Sequence, residues 1–262
     1  MKTIKVLFAE GQKELSKFIT YRVSKFFRAL NYIFLFTGLI IGTKTYLQSP
    51  VEKEIYVMGL IAWWLVSYSI QSVSSIIQDE SRTGTLEQLF LTKTDIVSIM
   101  VMRILVGYII ELIQVGIIYV LLSYLFSIPL IGMVIPLTNK IILLLILFVG
   151  LSGIGFLVSA ASIIFKKADA VARATSNLIL FFSGLIIPIE HIPTIFAKIS
   201  NVFPFYWFID ILRQQFIYYN YKASVSSLIS FSAISIFWFI LGVCIFKASI
   251  NIAKNKGTLS HY

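Results

Sequence analysis

Long apolar runs separated by short polar stretches dominate this chain. Six runs are long enough for a helix to cross a hydrocarbon core of about 30 Å, because an α-helix rises about 1.5 Å per residue. The predicted spans cover approximately 29–47, 55–78, 97–126, 140–164, 170–188 and 226–250. The pattern therefore predicts an all-α membrane protein with six transmembrane helices.

Residues 13–28, before the first span, have apolar and charged positions on opposite faces of a helix. The apolar positions are Leu15, Phe18, Ile19, Val23, Phe26 and Phe27. The polar positions are Glu14, Lys17, Ser24, Lys25 and Arg28. This pattern predicts a basic amphipathic helix in the membrane interface, within a cytoplasmic segment 1–28. The helix either helps to hold a partner or is a generic membrane anchor, and the sequence leaves both interpretations open.

Prolines interrupt the apolar stretch between the fifth and sixth spans. They are Pro188, Pro193 and Pro204. Proline ends helices because it lacks the amide donor, so two short apolar pieces remain, at about 194–200 and 203–218. Each is too short to cross a membrane. We expect short re-entrant helices within an extracytoplasmic segment 189–222, packed on protein because broken backbone is not tolerated against lipid.

The most polar stretch between two spans is residues 79–95. Thr85 and Gln88 have the spacing of a capping box, which predicts a short helix that starts near Thr85. Three apolar side chains would share one face of this helix: Leu86, Leu89 and Phe90. A short amphipathic helix on a charged loop is suited to docking onto a soluble partner.

Composition agrees with a membrane protein. The chain of 262 residues is 58% hydrophobic and 13% charged, whereas soluble globular chains carry roughly 25% charged residues. Its mean hydropathy is +0.89. A net charge of +10 would suggest nucleic acid as the partner of a soluble protein. Here the charge is better explained by topology and by anionic membrane lipids, so no nucleic-acid partner is expected.

The distribution of basic residues predicts the orientation in the membrane. If the N-terminus is inside, sixteen of the 22 Lys and Arg residues lie on inside segments. The positive-inside rule then places both termini and the 79–95 loop in the cytoplasm of a multi-pass plasma-membrane protein. Most of this preference comes from the basic residues before the first span.

Few residues support chemistry by this chain itself. Cys244 is the single cysteine, so no disulfide within the chain is expected, and His191 and His261 lack the spacing of a metal site. The stretch 38–45 resembles a phosphate loop only superficially, because Lys44 does not directly follow the second glycine. We therefore expect no catalytic, cofactor or metal residues, and any ATP must be hydrolysed by another polypeptide.

Two motifs resemble those of ABC-2 type permeases, the membrane subunits of ATP-driven exporters. The first is the coupling segment of that family, and it matches Glu80, Arg82, Gly84, Thr85, Leu86, Glu87 and Leu89. The second is a late proline and aromatic signature, and it matches Pro188, Pro193, Asn201, Pro204, Tyr206, Asp210 and Arg213. One departure is Phe203, where the family often has a polar residue. Together the motifs imply a single ABC-2 transmembrane domain over residues 1–262.

The resemblance implies a permease that exports an amphipathic or hydrophobic substrate by alternating access. The substrate would be a drug, a peptide antibiotic or a lipid-linked molecule, and a role in drug or antibiotic resistance would follow. ATP and Mg would be bound by a separate ATPase subunit, and a second permease copy or a related permease would complete a dimer. Lipid-linked polysaccharide export and a non-transporting sensor or immunity protein remain alternatives. A membrane enzyme would need clustered polar catalytic residues at one membrane face.

The same resemblance assigns the ATPase contact to the 79–95 segment. The charges expected to orient the contact are Asp79, Glu80, Arg82 and Glu87. The apolar side chains expected to fill a groove are Leu86, Leu89 and Phe90.

Two further features lie inside predicted spans. Glu111 is midway along the third span, where an ionisable group is costly and usually faces a cavity or a partner. It either lines a transport path, with Gln114 nearby, or makes a structural hydrogen bond to Gln114, Tyr108 or another helix. Gly38 and Gly42 have the Gly-x-x-x-Gly spacing of close helix contacts, either at a dimer seam or within one subunit.

Overall fold

The computed structural model of the chain is helical wherever it has regular secondary structure. It describes residues 11–13, 16–17, 19–43, 49–85, 88–89, 95–128, 137–165, 169–186, 194–218 and 220–255. These described residues contain no strand. The predicted all-α class is therefore confirmed.

The main helices follow one another in the order that the apolar runs predict. They are α1 (Arg22–Thr43), α2 (Pro50–Arg82), α3 (Ile96–Leu125), α4 (Leu137–Phe165), α5 (Asp169–Phe182), α6 (Thr194–Ser200), α7 (Pro204–Phe216) and α8 (Tyr221–Asn255). Within the described ranges, five of them are long and apolar enough to cross a membrane, namely α1, α2, α3, α4 and α8.

The fifth predicted span, 170–188, corresponds to the shorter helix α5. With 14 residues, α5 is about 21 Å long, which is less than the hydrocarbon thickness of about 30 Å. The chain turns directly after it, because Gly184 has a positive φ of 74° and the Ser183 hydroxyl accepts a hydrogen bond from the Leu185 amide at 3.1 Å. The structure thus confirms five long apolar helices, and a sixth crossing stays a prediction.

Helix α2 forms the centre of the bundle. Of the residues in its most apolar stretch, 83% are buried inside the chain, against 11% in the corresponding stretch of α1 and 17% in that of α8. The helix begins with a capping box. The Ser49 hydroxyl accepts a hydrogen bond from the Glu52 amide, and the Glu52 carboxylate accepts one from the Ser49 amide, both at 3.1 Å. Pro50 occupies the first turn, where its missing amide costs nothing.

Helices α4 and α8 cross at a contact built on glycine. A Cβ on Gly153 would overlap the Trp238 carbonyl and the backbone of Phe239, and a Cβ on Gly242 would overlap the Gly153 carbonyl. A neighbouring glycine on α4, Gly155, meets the backbone of α2 instead, with a Cβ falling 2.6 Å from the Ser69 carbonyl. The glycines of α4 therefore allow two other helix backbones to come close on different sides.

The two short helices before the last span agree with the predicted pieces at 194–200 and 203–218. The backbone between α6 and α7 is broken, but two of its carbonyls have partners. The Trp207 indole donates to the Asn201 carbonyl at 2.8 Å, and the Trp238 indole donates to the Val202 carbonyl at 2.7 Å. Tryptophan side chains thus satisfy backbone groups that could not face lipid unpaired.

Candidate functional site

Helix α2 extends into the polar segment that the sequence predicts as a coupling loop. It ends at Arg82, and Gly84 follows with a positive φ of 69°, a conformation that favours glycine. A new turn begins near Thr85, as predicted, since the Leu89 amide donates to the Thr85 carbonyl at 3.0 Å. Leu86, Glu87 and Phe90 lie outside the described residues.

Glu80, in the last turn of α2, is a buried carboxylate with partners from three parts of the chain. Arg103 on α3 donates to Glu80 Oε1 at 2.6 Å, and Lys13 from the N-terminal segment donates to the same oxygen at 2.9 Å. The Thr85 hydroxyl donates to Glu80 Oε2. Arg103 itself is only 4% exposed.

These contacts keep Glu80 ionised. It lies beyond the predicted 55–78 span, at the end of the bundle that carries the 79–95 segment. Burial by itself would raise the pKa of its carboxyl. Hydrogen bonds from Thr85, Lys13 and Arg103, together with the charge of Arg103, outweigh burial and lower this pKa to about 2. Glu80 is therefore a permanent anion at neutral pH.

The remaining described residues of the segment divide into an outer and an inner group. Asp79, Arg82 and Gln88 are exposed, whereas Leu89 is half-buried against the hydrophobic core. The sequence groups Glu80 with the outward charges, but the structure gives it internal partners. The exposed charges among the described residues of the segment are Asp79, Arg82 and Asp95, and Asp79 and Arg82 flank Glu80 at the end of α2.

Polar contacts also join the flanks of the segment to later helices. Gln78 donates to the Asp169 carboxylate at the start of α5, at 2.8 Å. Asp95 accepts from the Ser98 amide at the start of α3, at 3.3 Å, and lies 3.4 Å from Lys247 on α8. The segment is therefore connected to α3, α5 and α8.

Glu111 is 1% exposed and binds two neighbouring helices. The Trp64 indole on α2 donates to Glu111 Oε2 at 2.9 Å, and Arg28 on α1 donates to Oε1. Lys25 lies 3.9 Å from Oε1. Of the two interpretations left open by the sequence, the structure supports bonding to other helices, while a role in a transport path stays a prediction.

The side chains suggested as local partners of Glu111 have other surroundings. The Tyr108 hydroxyl donates to the Leu144 carbonyl on α4 at 2.9 Å. Gln114 has its side-chain nitrogen buried without a hydrogen-bond partner among the described residues. Gln114 is therefore a buried polar group near the middle of α3, which leaves its predicted role untested.

Sequence reasoning missed one buried carboxylate, Glu54. It is fully buried near the start of α2, and the Tyr119 hydroxyl on α3 donates to it at 3.4 Å. It lies just before the predicted 55–78 span and is not among the predicted site residues. The capping box at Ser49 was the available signal, because it starts the helix early enough to place Glu54 in the second turn.

The late signature connects α7 to its neighbours. Asp210 accepts from the Ser227 hydroxyl on α8 at 2.6 Å, and Arg213 donates to the Gly184 carbonyl after α5 at 2.7 Å. Helix α7 is therefore hydrogen-bonded both to α8 and to the turn after α5. A pairing between Asp210 and Arg213 themselves stays a prediction, and Pro188 and Pro193 lie outside the described residues.

Gly38 and Gly42 both lie on an exposed face of α1. Among the described residues, a Cβ on either glycine would meet no side chain and no other helix within 4 Å. Within the part of the chain that the structure describes, the Gly-x-x-x-Gly spacing is therefore not used for close packing.

Several long apolar helices, joined by buried charged and polar contacts, define this chain as a multi-pass membrane protein. The family model described as ABC-2 type transporter matches residues 3–217, which include the 79–95 segment and the late signature. The chain belongs to the ABC-2 type transporter family and is a membrane permease component of an ABC transporter. A comparison with curated proteins finds no match.

Proposed function

We propose that this chain is the permease of an exporter whose ATPase is a separate subunit bound at the 79–95 segment. The observation that carries this proposal is the division of the segment, with Asp79 and Arg82 exposed while Glu80 is bound inside. Exposed charges of opposite sign can orient a soluble partner. The buried carboxylate then connects the docking surface to α3 through Arg103.

The proposed mechanism is alternating access. Closure of two ATPase subunits would displace the segment, and the Glu80–Arg103 pair would make α2 and α3 respond together. A few kcal/mol of differential contact energy is enough to shift a two-state equilibrium. ATP and Mg would remain on the ATPase, and this chain would contribute no catalytic residue.

The proposed substrate is amphipathic or hydrophobic: a drug, a peptide antibiotic or a lipid-linked molecule. The apolar character of the spans supports it, and export would give drug or antibiotic resistance. The distribution of basic residues supports both termini in the cytoplasm. That orientation requires a sixth crossing in the region of α5, with α6 and α7 as re-entrant helices inside a single domain, residues 1–262.

Affinity purification from native membranes in mild detergent tests this function. The tagged chain should bring down a stoichiometric ATPase subunit, identified by mass spectrometry, and any second permease. Repeated recovery of the chain alone would instead favour a non-transporting sensor or immunity protein. Once the ATPase subunit is identified, transport assays distinguish drug or peptide export from lipid-linked polysaccharide export.

Reversing the charge of Arg82 should weaken coupling without harming the fold. Because Arg82 is exposed, Arg82→Glu should change stability by less than about 0.5 kcal/mol. A surface charge of the wrong sign at a docking site should reduce ATPase stimulation severalfold, mainly by slowing association. Stimulation is measured with the co-purified ATPase in nanodiscs.

The control for Arg82→Glu is Lys222→Glu, an exposed residue at the start of α8. It makes the same reversal on the predicted extracytoplasmic side and should preserve stimulation. Equal stimulation of the ATPase by both variants would contradict the proposal that the ATPase docks at the 79–95 segment.

We further propose that Gly38 and Gly42 lie at a dimer seam, in a homodimer or with a related permease. Their open surroundings in the single chain support this, because the spacing allows a second helix to approach closely. The low burial of α1 also leaves this face available.

Cysteine cross-linking tests the seam. With Cys244 replaced by alanine, Gly38→Cys and Gly42→Cys should give a disulfide-linked dimer when membranes are oxidised, because residues at a helix crossing come within disulfide range. Gly116→Cys is the control, since a Cβ on Gly116 of α3 would likewise meet no side chain and no other helix within 4 Å among the described residues. A dimer formed only through residue 116 would move the seam to α3.

A further inference from the structure

In the N-terminal helix, which comprises the described residues 11–13, 16–17 and 19–21 and the first turns of α1, four basic side chains contact carboxylates of the protein. At 100° per residue, Lys13, Lys17, Lys25 and Arg28 would lie within roughly 120° of one another, whereas the exposed Arg22 falls outside this sector. All four meet carboxylates of the chain: Lys13 and Lys17 approach Glu80 and Asp79, and Lys25 and Arg28 approach Glu111.

The opposite face of the same helix turns outward. Ile19 is 66% exposed, Val23 64% and Phe26 63%. A soluble protein would reverse this arrangement, with apolar residues inside and charges outside. In a membrane protein an outward apolar face fits lipid tails, so the inward charges must be neutralised by the protein itself.

The two buried carboxylates are far apart along this helix. Glu80 meets Lys13, and Glu111 meets Arg28, fifteen residues later along the chain. Both carboxylates have further donors from α2, α3 or the turn after α2, so neither depends on the N-terminal segment alone. The helix is thus held at two points, by one carboxylate on α2 and one on α3.

From this geometry we infer that Glu80 and Glu111 form a two-point carboxylate clamp for the basic side chains of the N-terminal helix, with Lys13 at Glu80 and with Lys25 and Arg28 at Glu111. The clamp fixes the N-terminal helix to α2 and α3 and to the turn at Thr85, so that these parts move as one body. The ligand of the basic face is therefore protein carboxylate, and the lipid contacts of this helix come from its apolar face.

A nitroxide label on the N-terminal helix tests the clamp without any partner subunit. The label is placed at the exposed Thr20 by Thr20→Cys, in a chain with Cys244→Ala, reconstituted into nanodiscs. Mobility is read by electron paramagnetic resonance. The unaltered clamp should give an immobilised label in phosphatidylcholine alone and in mixtures with phosphatidylglycerol.

Glu80→Gln and Glu111→Gln should each raise the mobile population about tenfold, because a hydrogen bond to a charged group contributes at least that factor to an equilibrium. Asp79→Asn is the matched control. Its contact to Lys17 spans 3.7 Å between partly exposed side chains, so its loss should leave mobility unchanged.

Two milder variants guard against simple misfolding. Lys13→Gln leaves Glu80 with Arg103 and Thr85, and Arg28→Gln leaves Glu111 with Trp64. Both should also mobilise the label. An immobile label in all four clamp variants would overturn the inference, and so would a label whose mobility in the unaltered chain depends on the fraction of phosphatidylglycerol.

Discussion

Replacing Arg103 with methionine should destabilise the chain by about 3 kcal/mol, because removal of one partner leaves a buried charge poorly compensated. Arg103 is 4% exposed and lies 2.6 Å from Glu80. After the substitution, the described partners of the Glu80 carboxylate are Lys13 and Thr85. The loss is measured as the change in thermal unfolding of the purified chain in detergent.

The matched control for Arg103→Met is Arg82→Met, which removes an exposed arginine from the same end of the bundle and should change stability by less than about 0.5 kcal/mol. The double variant Glu80→Gln with Arg103→Met should regain part of the loss, because no carboxylate remains unpaired. Additive losses in the double variant would show that the two side chains do not act as a pair.

The second large effect is expected at the crossing of α4 and α8. Gly153→Ala should destabilise the chain by roughly 1–3 kcal/mol, because a Cβ there meets backbone atoms of Trp238 and Phe239 that cannot rotate away. Alanine favours helix over glycine by up to about 1 kcal/mol, so a net loss would come from packing.

Gly116→Ala is the control for the α4–α8 crossing. It brings the same gain in helix propensity at a site where, among the described residues, the new Cβ meets no side chain and no other helix within 4 Å. Its thermal unfolding should be unchanged or slightly raised. A Gly153→Ala variant as stable as this control would show that the two helices can separate at little cost.

The apolar runs in the sequence predicted the helices but did not predict where the fifth one, α5, ends. The apolar runs predicted α1, α2, α3, α4 and α8, because crossing a membrane requires a fixed length of apolar helix. The fifth run was also apolar. It is nevertheless broken at Gly184, where the preceding Ser183 hydroxyl and the carbonyl contact of Arg213 support a turn. An arginine 29 residues further along the chain cannot be read from the run itself.

The partners of the charged residues could not be read from local sequence either. The sequence identified Glu111 from its position within a predicted span, and it identified Glu80 through the resemblance to the coupling segment of ABC-2 type permeases. The resemblance assigned Glu80 to the contact with the ATPase. For Glu111, the sequence left open whether it lines a transport path or makes a structural hydrogen bond. The outward charges Asp79 and Arg82 could not be separated from Glu80 without knowing which face of α2 meets α3.

The sequence by itself determined the helical class, the membrane setting, the family and the position of the short polar segment, because these depend on run length and on local motifs. The tertiary structure decided which charges are bound within the chain. Arg103 pairs with a carboxylate 23 residues away, and Arg28 pairs with one 83 residues away. Such pairs form only because helix packing brings distant residues together in surroundings where an unpaired charge is costly.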